Sequence, residues 1–241
     1  MLGVTLAPSS TSIAALEEAG VPRLERWGRG VDTDRYHPGH RFTARARELR
    51  SELAPNGEVI LGYVGRIAPE KSLERLAELA GIPGIRLVIV GGGPAMPSVT
   101  RALEGMPVTY LGELRGEDLS AAYASFDVFV HTGTEETFGQ TLQEAHASGL
   151  AVVAPRAGGP IDLIEDQVDG ALYDPTADGA LEAAVRPLVA DAELRARWGE
   201  AGRRKVIGRT WGRLCDELLG HYDEVIAARR GAVTSLDIKT K

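Results

Sequence analysis

From Glu58 onward the chain alternates short, β-rich apolar runs with stretches of helical periodicity. That alternation constrains the fold more than any other feature, because parallel strands buried on both faces need a helical crossover before each can pair with the next. Five runs have strand character: Val59–Val64, Ile85–Val90, and residues 108–111, 126–130 and 151–154, each bounded by Gly, Pro or a charged turn. Between the first two, Leu73, Leu76, Ala77 and Ala80 recur at i, i+3, i+4 and i+7. Ser72 is placed to cap that helix and Gly81 to end it. The class is α/β, a doubly wound parallel sheet.

After Asp174-Pro175 the pattern turns wholly helical, first through Leu181, Val185, Leu188 and Leu194, then through Trp211, Leu214, Leu218, Tyr222 and Val225. A helical C-terminal tail is therefore expected, frayed from Thr234 to the end. Ahead of the sheet, residues 4–6 read as a strand, 10–19 as a capped helix ending at Gly20, and 24–27 as another strand, a piece too small for a core of its own. The expected division is residues 1–40, 41–205 and 206–241.

With 241 residues and 44% hydrophobic content, a large core can form. The apolar runs fall far short of the roughly 18 residues that a membrane-spanning helix needs. The first residues lack the pattern of a secretion signal, so the expected setting is cytoplasmic, with at most peripheral membrane association. A formal charge of −7 disfavours a sequence-independent grip on nucleic acid. The basic clusters at 41–50 and 203–205 read as solvated faces. The single cysteine, Cys215, offers no disulfide framework and no zinc site, and is expected as a small apolar core residue.

Chemistry concentrates in two places. Gly65-Arg66-Ile67-Ala68-Pro69-Glu70-Lys71 follows the first strand of the sheet, at the carboxyl edge where doubly wound sheets take ligands. A planar guanidinium and a compact ammonium there suit the charge of a diphosphate, and Gly65 lets the backbone come close. The bland alternative is a surface Arg and Lys flanking a helix start. The second place is the run from Glu135 to Glu144, in which Glu136 and Glu144 are separated by seven residues. If a helix begins near Gly139 or Gln140, both acids border the space before its N-terminus, where free N–H groups welcome phosphate oxygens and carboxylates can accept sugar hydroxyls. Glu135 fits the plainer role of a helix-terminal acid.

The glycine turn Gly91-Gly92-Gly93-Pro94 suggests a dinucleotide fingerprint only superficially. It follows the second strand, and Met96 stands where a third glycine is needed. His131, Gly133 and Gly158-Gly159-Pro160 occupy further turns at the same edge, each also explicable as ordinary turn chemistry.

Taken together, the Gly-Arg-x-x-x-Glu-Lys stretch at 65–71, the EX7E stretch at 136–144 and the loop Ala157-Gly158-Gly159-Pro160 resemble the C-terminal, Rossmann-like domain of family 4 glycosyltransferases of the GT-B fold. The segment from Arg26 to Pro38 resembles the same family's interdomain link. With Glu135 to Gln140 and Ala145-His146-Ala147-Ser148-Gly149, it is similar to GDP-mannose-dependent α-mannosyltransferases of cell-envelope glycolipids.

That resemblance implies transfer of a hexose, with retained configuration, from a nucleotide-sugar donor, without a required metal or cofactor. It implies that Arg66 and Lys71 stabilise the leaving diphosphate, Glu136 faces the hexose and Glu144 holds the ribose. The backbone of Phe138, Gly139, Gln140 and Thr141 would contact sugar and phosphate, and Leu114 would flank the base. It further implies that residues 1–40 are the last part of an acceptor-binding domain plus the link. The face of the C-terminal helix would then await a separate first domain or a second copy. Two other readings stay open: a nucleotide-sugar-binding module without turnover, and a sugar-nucleotide epimerase of the same architecture.

Overall fold

The computed structural model of the chain describes residues 3–238, with side chains described to residue 230. Its centre is a six-stranded parallel sheet of β3 (Val59–Val64), β4 (Ile85–Val90), β5 (Val108–Gly112), β6 (Val128–Val130), β7 (Ala151–Pro155) and β8 (Gly170–Tyr173), where β1 and β2 lie earlier in the chain. The strands stand in the order β5-β4-β3-β6-β7-β8. The chain thus winds outward from β3 through β4 to β5, then returns to place β6 on the other side of β3 and winds outward again. This reversal is the topological switch of a doubly wound sheet.

Side chains alternate between the two faces with the period of two that a strand imposes. Ile60, Val64, Val88, Val90, Phe129, Val152 and Ala154 pack on one face, against α2 (Ala44–Leu53), α4 (Gly116–Ser125) and α5 (Gln140–Ala147). Leu61, Tyr63, Leu87, Ile89, Val128, Val130 and Val153 pack on the other, against α3 (Met96–Ala102), α7 (Ala180–Ala190), α8 (Ala192–Val206) and the helical turns of Leu73–Gly81. A four-residue helix, α6 (Pro160–Leu163), follows β7, and α9 (Trp211–Ile238) ends the described chain. No helix among the described residues is long and apolar enough to cross a membrane.

The N-terminal piece is β1 (Thr5–Ala7), α1 (Ser10–Glu18) and β2 (Leu24–Arg26), with β1 and β2 paired in parallel as a separate two-stranded sheet. Ser9 caps α1 by accepting from the Ser12 N–H at 3.2 Å. No residue of α1 is buried.

Several expectations are corrected. The sheet has a sixth strand, β8, whose four residues begin at Gly170; a Cβ there would lie 2.5 Å from the Val152 carbonyl oxygen, so only glycine fits. Phe126 precedes its strand because it caps α4, its N–H on the Tyr123 carbonyl at 3.2 Å, while its ring fills the space beneath Gly62. Leu73–Gly81 is a 3₁₀ helix, burying Leu73, Leu76 and Leu79 at the three-residue period of that helix while Ala80 is exposed. Ser72 makes no side-chain cap; it sits in the left-handed region at φ 49°. Cys215 is exposed. The helix continues through Thr234 to Ile238, and the rest of the expected frayed tail lies outside the described residues.

Neither basic cluster is merely a solvated face. Arg41 donates to the carbonyls of Ala124, at 3.1 Å, and Phe126, while Arg50 donates to that of Ser125 at 2.7 Å. These are the open carbonyls at the end of α4. Arg50 also pairs with the buried Asp127 at 2.9 Å, and Asp127 accepts the Ile60 N–H at 2.8 Å. Arg203 donates to the Ala147 carbonyl and Lys205 pairs with the buried Asp169 at 2.8 Å, whereas Arg204 is exposed.

Asp127 therefore ties α2 to the start of β3. Asp127→Ala, which strands an N–H and leaves two half-buried guanidiniums without their carboxylate, is expected to cost about 2 kcal/mol and lower the melting temperature by roughly 4–8 °C. Calorimetry reads this directly, and an unchanged transition would contradict it.

Candidate functional site

The turns after β3 and β6 face each other across the switch, since these strands are direct neighbours, with Leu61 paired to Val128 and Gly62 to Phe129. The first turn carries Arg66 and Lys71, the second His131 to Gly139. Lys71 Nζ reaches Glu136 Oε2 at 2.7 Å, a contact between residues 65 apart in sequence, with both side chains under a fifth exposed.

Glu136 is held from the other side by its own loop. Its Oε1 accepts the N–H groups of Gly139, at 3.1 Å, and Phe138, at 3.3 Å. Burial pushes the Glu136 carboxyl up, but the hydrogen bond and charge of Lys71, with smaller help from His131 and the Phe138 N–H, bring it below the ordinary carboxylate value. His131 is buried against Tyr63, rings stacked at 6.5 Å, with Nε2 at 4.0 Å from Glu136. Burial lowers its pKa to about 4, which keeps the imidazole neutral near pH 7.

Gly139, at φ 98°, turns the chain into α5. The hydrogen-bond ladder of that helix begins with Leu142 and Gln143 on the Gly139 carbonyl. The N–H groups of Gln140 and Thr141 precede it, beside the Lys71–Glu136 pair, as an anion site requires. Phe138 is buried in the core, and its backbone lies against Gly159. The Gly159 N–H donates to the Glu136 carbonyl at 2.6 Å, so the 157–160 loop fixes the acid from behind.

Arg66 stands apart from this pair. Its side chain is 64% exposed and bonded to Glu70, a partner with no role in the sequence reading. It lines a cavity of about 430 Å³ with Gly65, Leu114, Glu113, Arg115 and the glycine turn after β4. Those glycines serve protein backbone. Gly93, at φ 154°, lies against the Ile67 carbonyl, and the Ile67 N–H donates to the Gly92 carbonyl at 2.9 Å. Close approach of two loops accounts for the turn without a dinucleotide.

Glu144 lies one turn into α5. Its Oε2 accepts from the Tyr123 hydroxyl at 2.8 Å. Burial pushes its carboxyl above the ordinary value, and the hydroxyls of Tyr123 and Tyr36 offset only part of that rise. The structure therefore joins Lys71 to Glu136 directly, places Gly139, Gln140 and Thr141 at the adjoining helix start, sets Gly65, Arg66 and Leu114 around the cavity, and puts Glu144 behind that start. Sequence reasoning quoted Glu70 within its motif without giving it a partner, and gave no role to Glu113, Tyr36 or Tyr123. The adjacency of β3 and β6 is what brings Lys71 and Glu136, grouped in sequence only by the resemblance, into contact.

Residues 44–205 match the family of glycosyl transferases group 1. Over 228 residues, 93% of this chain, the sequence is 49% identical to a GDP-mannose-dependent alpha-mannosyltransferase of Mycolicibacterium smegmatis, of which it covers 58%. A protein of the same name from Corynebacterium glutamicum is 45% identical over 92% of this chain and 53% of its own length. The chain thus spans about half the length of the curated relatives it matches. Among solved structures, sucrose-phosphate synthase from Thermosynechococcus elongatus superposes with a TM-score of 0.82 at 26% identity, covering 92% of this chain and 58% of that one. Anabaena Alr3699/HepE, solved with UDP and glucose, gives 0.81 at 21% identity over 92% and 63%, a likeness of fold. The chain belongs to the glycosyl transferases group 1 family and has the α/β fold of its GT-B members.

Proposed function

We propose that this chain is the donor-binding half of a retaining glycosyltransferase that transfers a hexose, mannose from GDP-mannose, to an envelope glycolipid or similar acceptor. The observation that carries this reading is the Lys71–Glu136 pair at the sheet's switch point, beside the open N-terminus of α5. The names of the mannosyltransferase relatives support both the donor and transfer chemistry, ahead of epimerisation or binding without turnover.

In this reading the donor's diphosphate takes over Lys71 from Glu136 and Arg66 from Glu70, with the Gln140 and Thr141 N–H groups completing the cradle. Glu136, released from Lys71, accepts hexose hydroxyls. Glu144 accepts those of the ribose, Gly65 lets the backbone close on the ligand, and Leu114 flanks the base. As the glycosidic bond to the diphosphate breaks, the two cations already stand where negative charge accumulates. No metal is invoked.

Glu113 gives the cavity a preference among bases. A carboxylate can accept from both N1–H and the exocyclic amine of guanine, whereas uracil presents one N–H between two carbonyls that repel it.

Residues 1–40 serve as the end of a preceding domain and the link. The exposed Trp211, Leu219, Tyr222 and Ile226 of α9 form a face for that domain or a second copy, which would complete the cleft and exclude water.

Calorimetric titration with GDP, GDP-mannose and UDP-glucose tests the proposal, with binding of the guanine nucleotides expected; no heat with any nucleotide would overturn it. Lys71→Ala is expected to weaken GDP binding by about 1.5–3 kcal/mol, roughly 10- to 150-fold. An unchanged dissociation constant in a folded variant would remove its role. Glu113→Gln is expected to weaken GDP by about 1–2 kcal/mol and to leave UDP binding no weaker, since the repulsion of the uracil carbonyls is relieved. Equal loss of both nucleotides would refute base reading by Glu113.

A further inference from the structure

Two phenols converge on the carboxylate of Glu144. Tyr123 donates to Oε2 at 2.8 Å, and the Tyr36 hydroxyl lies near enough to the same carboxylate for each to shift the other's pKa. The rings of Tyr36 and Tyr123 meet edge to face with centroids 5.2 Å apart, while Phe126 and Phe129 fix Tyr123 at 6.0 and 5.8 Å. Burial raises the pKa of both phenols, so near neutral pH each can only donate to a neighbouring carboxylate.

The two tyrosines come from different parts of the chain. Tyr123 lies in α4, whereas Tyr36 belongs to the segment that joins β2 to the sheet domain. That segment is fastened along the helix bearing Glu144: Gln140 donates to the Gly30 carbonyl and Gln143 to that of Arg29, both at 3.0 Å. It is also tied to the chain entering α9, through the Val31 N–H on the Arg209 carbonyl at 2.9 Å. Gly30 lies so close to Trp211 that a Cβ would stand 2.6 Å from the Trp211 backbone nitrogen. The link is thus seated against both the donor-site helix and the root of α9, and its Tyr36 reaches the acid.

We propose that Tyr36 and Tyr123 are positioning residues for the donor's ribose: their hydroxyls hold the Glu144 carboxylate in one orientation toward two ribose hydroxyls, and seating of the linking segment thereby sets donor affinity. The inference rests on the reading of Glu144 as the ribose acceptor. A carboxylate with an unrestrained terminal torsion would spend its hydrogen-bonding capacity over many orientations, whereas two fixed donors select one. Each donor, like the charge of Arg35 in the same linking segment, also stabilises the charged form, which burial alone disfavours.

The test is a calorimetric titration of the 241-residue chain with GDP and with 2′,3′-dideoxy-GDP, between about pH 5 and 8, for the parent, Tyr36→Phe, Tyr123→Phe, Glu144→Gln and Phe129→Leu. Each Tyr→Phe variant keeps its ring. GDP affinity is expected to fall about three- to tenfold near neutral pH, with dideoxy-GDP affinity unchanged. Losing a phenol removes a downward pull on the Glu144 pKa, so the acid limb of GDP binding moves to higher pH. Phe129→Leu, which loosens the same packing without touching the carboxylate, is expected to lower the melting temperature and leave that limb in place.

Parent-like affinity and limb in both tyrosine variants, with Glu144→Gln losing discrimination between the two nucleotides, would overturn the positioning role and leave the ribose reading standing. An equal limb shift in Phe129→Leu would also overturn it, as a packing effect. Parent-like discrimination in Glu144→Gln would instead remove the ribose reading, and this inference with it.

Discussion

The site depends on one pairing, that of β3 with β6. Because the chain completes β4 and β5 before returning to the other side of β3, two turns far apart in sequence emerge side by side at the same edge. The Lys71–Glu136 contact is the chemical result. An ammonium and a carboxylate largely withdrawn from water lose solvation that neither recovers alone, so the pair is held together by the cost of separating it. The Phe138 and Gly139 N–H groups satisfy the other carboxylate oxygen. A ligand that opens this pair must offer Lys71 an anion and Glu136 new donors together, which is what a sugar joined to a diphosphate presents.

Glycines let the surrounding loops approach closely enough to hold this arrangement. Gly93 lies against the loop after β3, and Gly158 and Gly159 against the Glu136 and Phe138 backbone. These contacts are between protein segments, and they account for glycine runs that a motif search would assign to a cofactor. The walls of the site are braced main chain, a form of preorganisation suited to stabilising charge without rearrangement.

Much of the sheet was legible, because β3 and β4 are continuous apolar runs with clear punctuation and appear at the expected bounds. β8 was not, since Gly170–Tyr173 is only four residues long and opens with a glycine. The helical stretch at 73–81 was placed correctly and typed wrongly: its leucines fit the 3₁₀ period as well as an α-helical one, and only the burial of Leu79 with exposure of Ala80 separates the two. Arg41 and Arg50 looked like solvent charge because their partners, the open carbonyls of α4 and Asp127, are known only once the 3₁₀ turn Pro38–Phe42 and α2 are packed on α4. Spacing alone set Glu136 and Glu144 about a helix start expected near Gly139 or Gln140, and α5 begins at Gln140. Tyr36 stands inside the segment read as a link, but nothing in sequence relates it to Tyr123 or to Glu144.

The most direct test of the central claim is a crystal structure of this chain with GDP bound. The account predicts the diphosphate against Lys71 Nζ and the N-terminus of α5, with Glu136 released from the lysine and the guanine in the cavity beside Leu114. Nucleotide bound elsewhere on the surface, with the Lys71–Glu136 pair still closed, would contradict it.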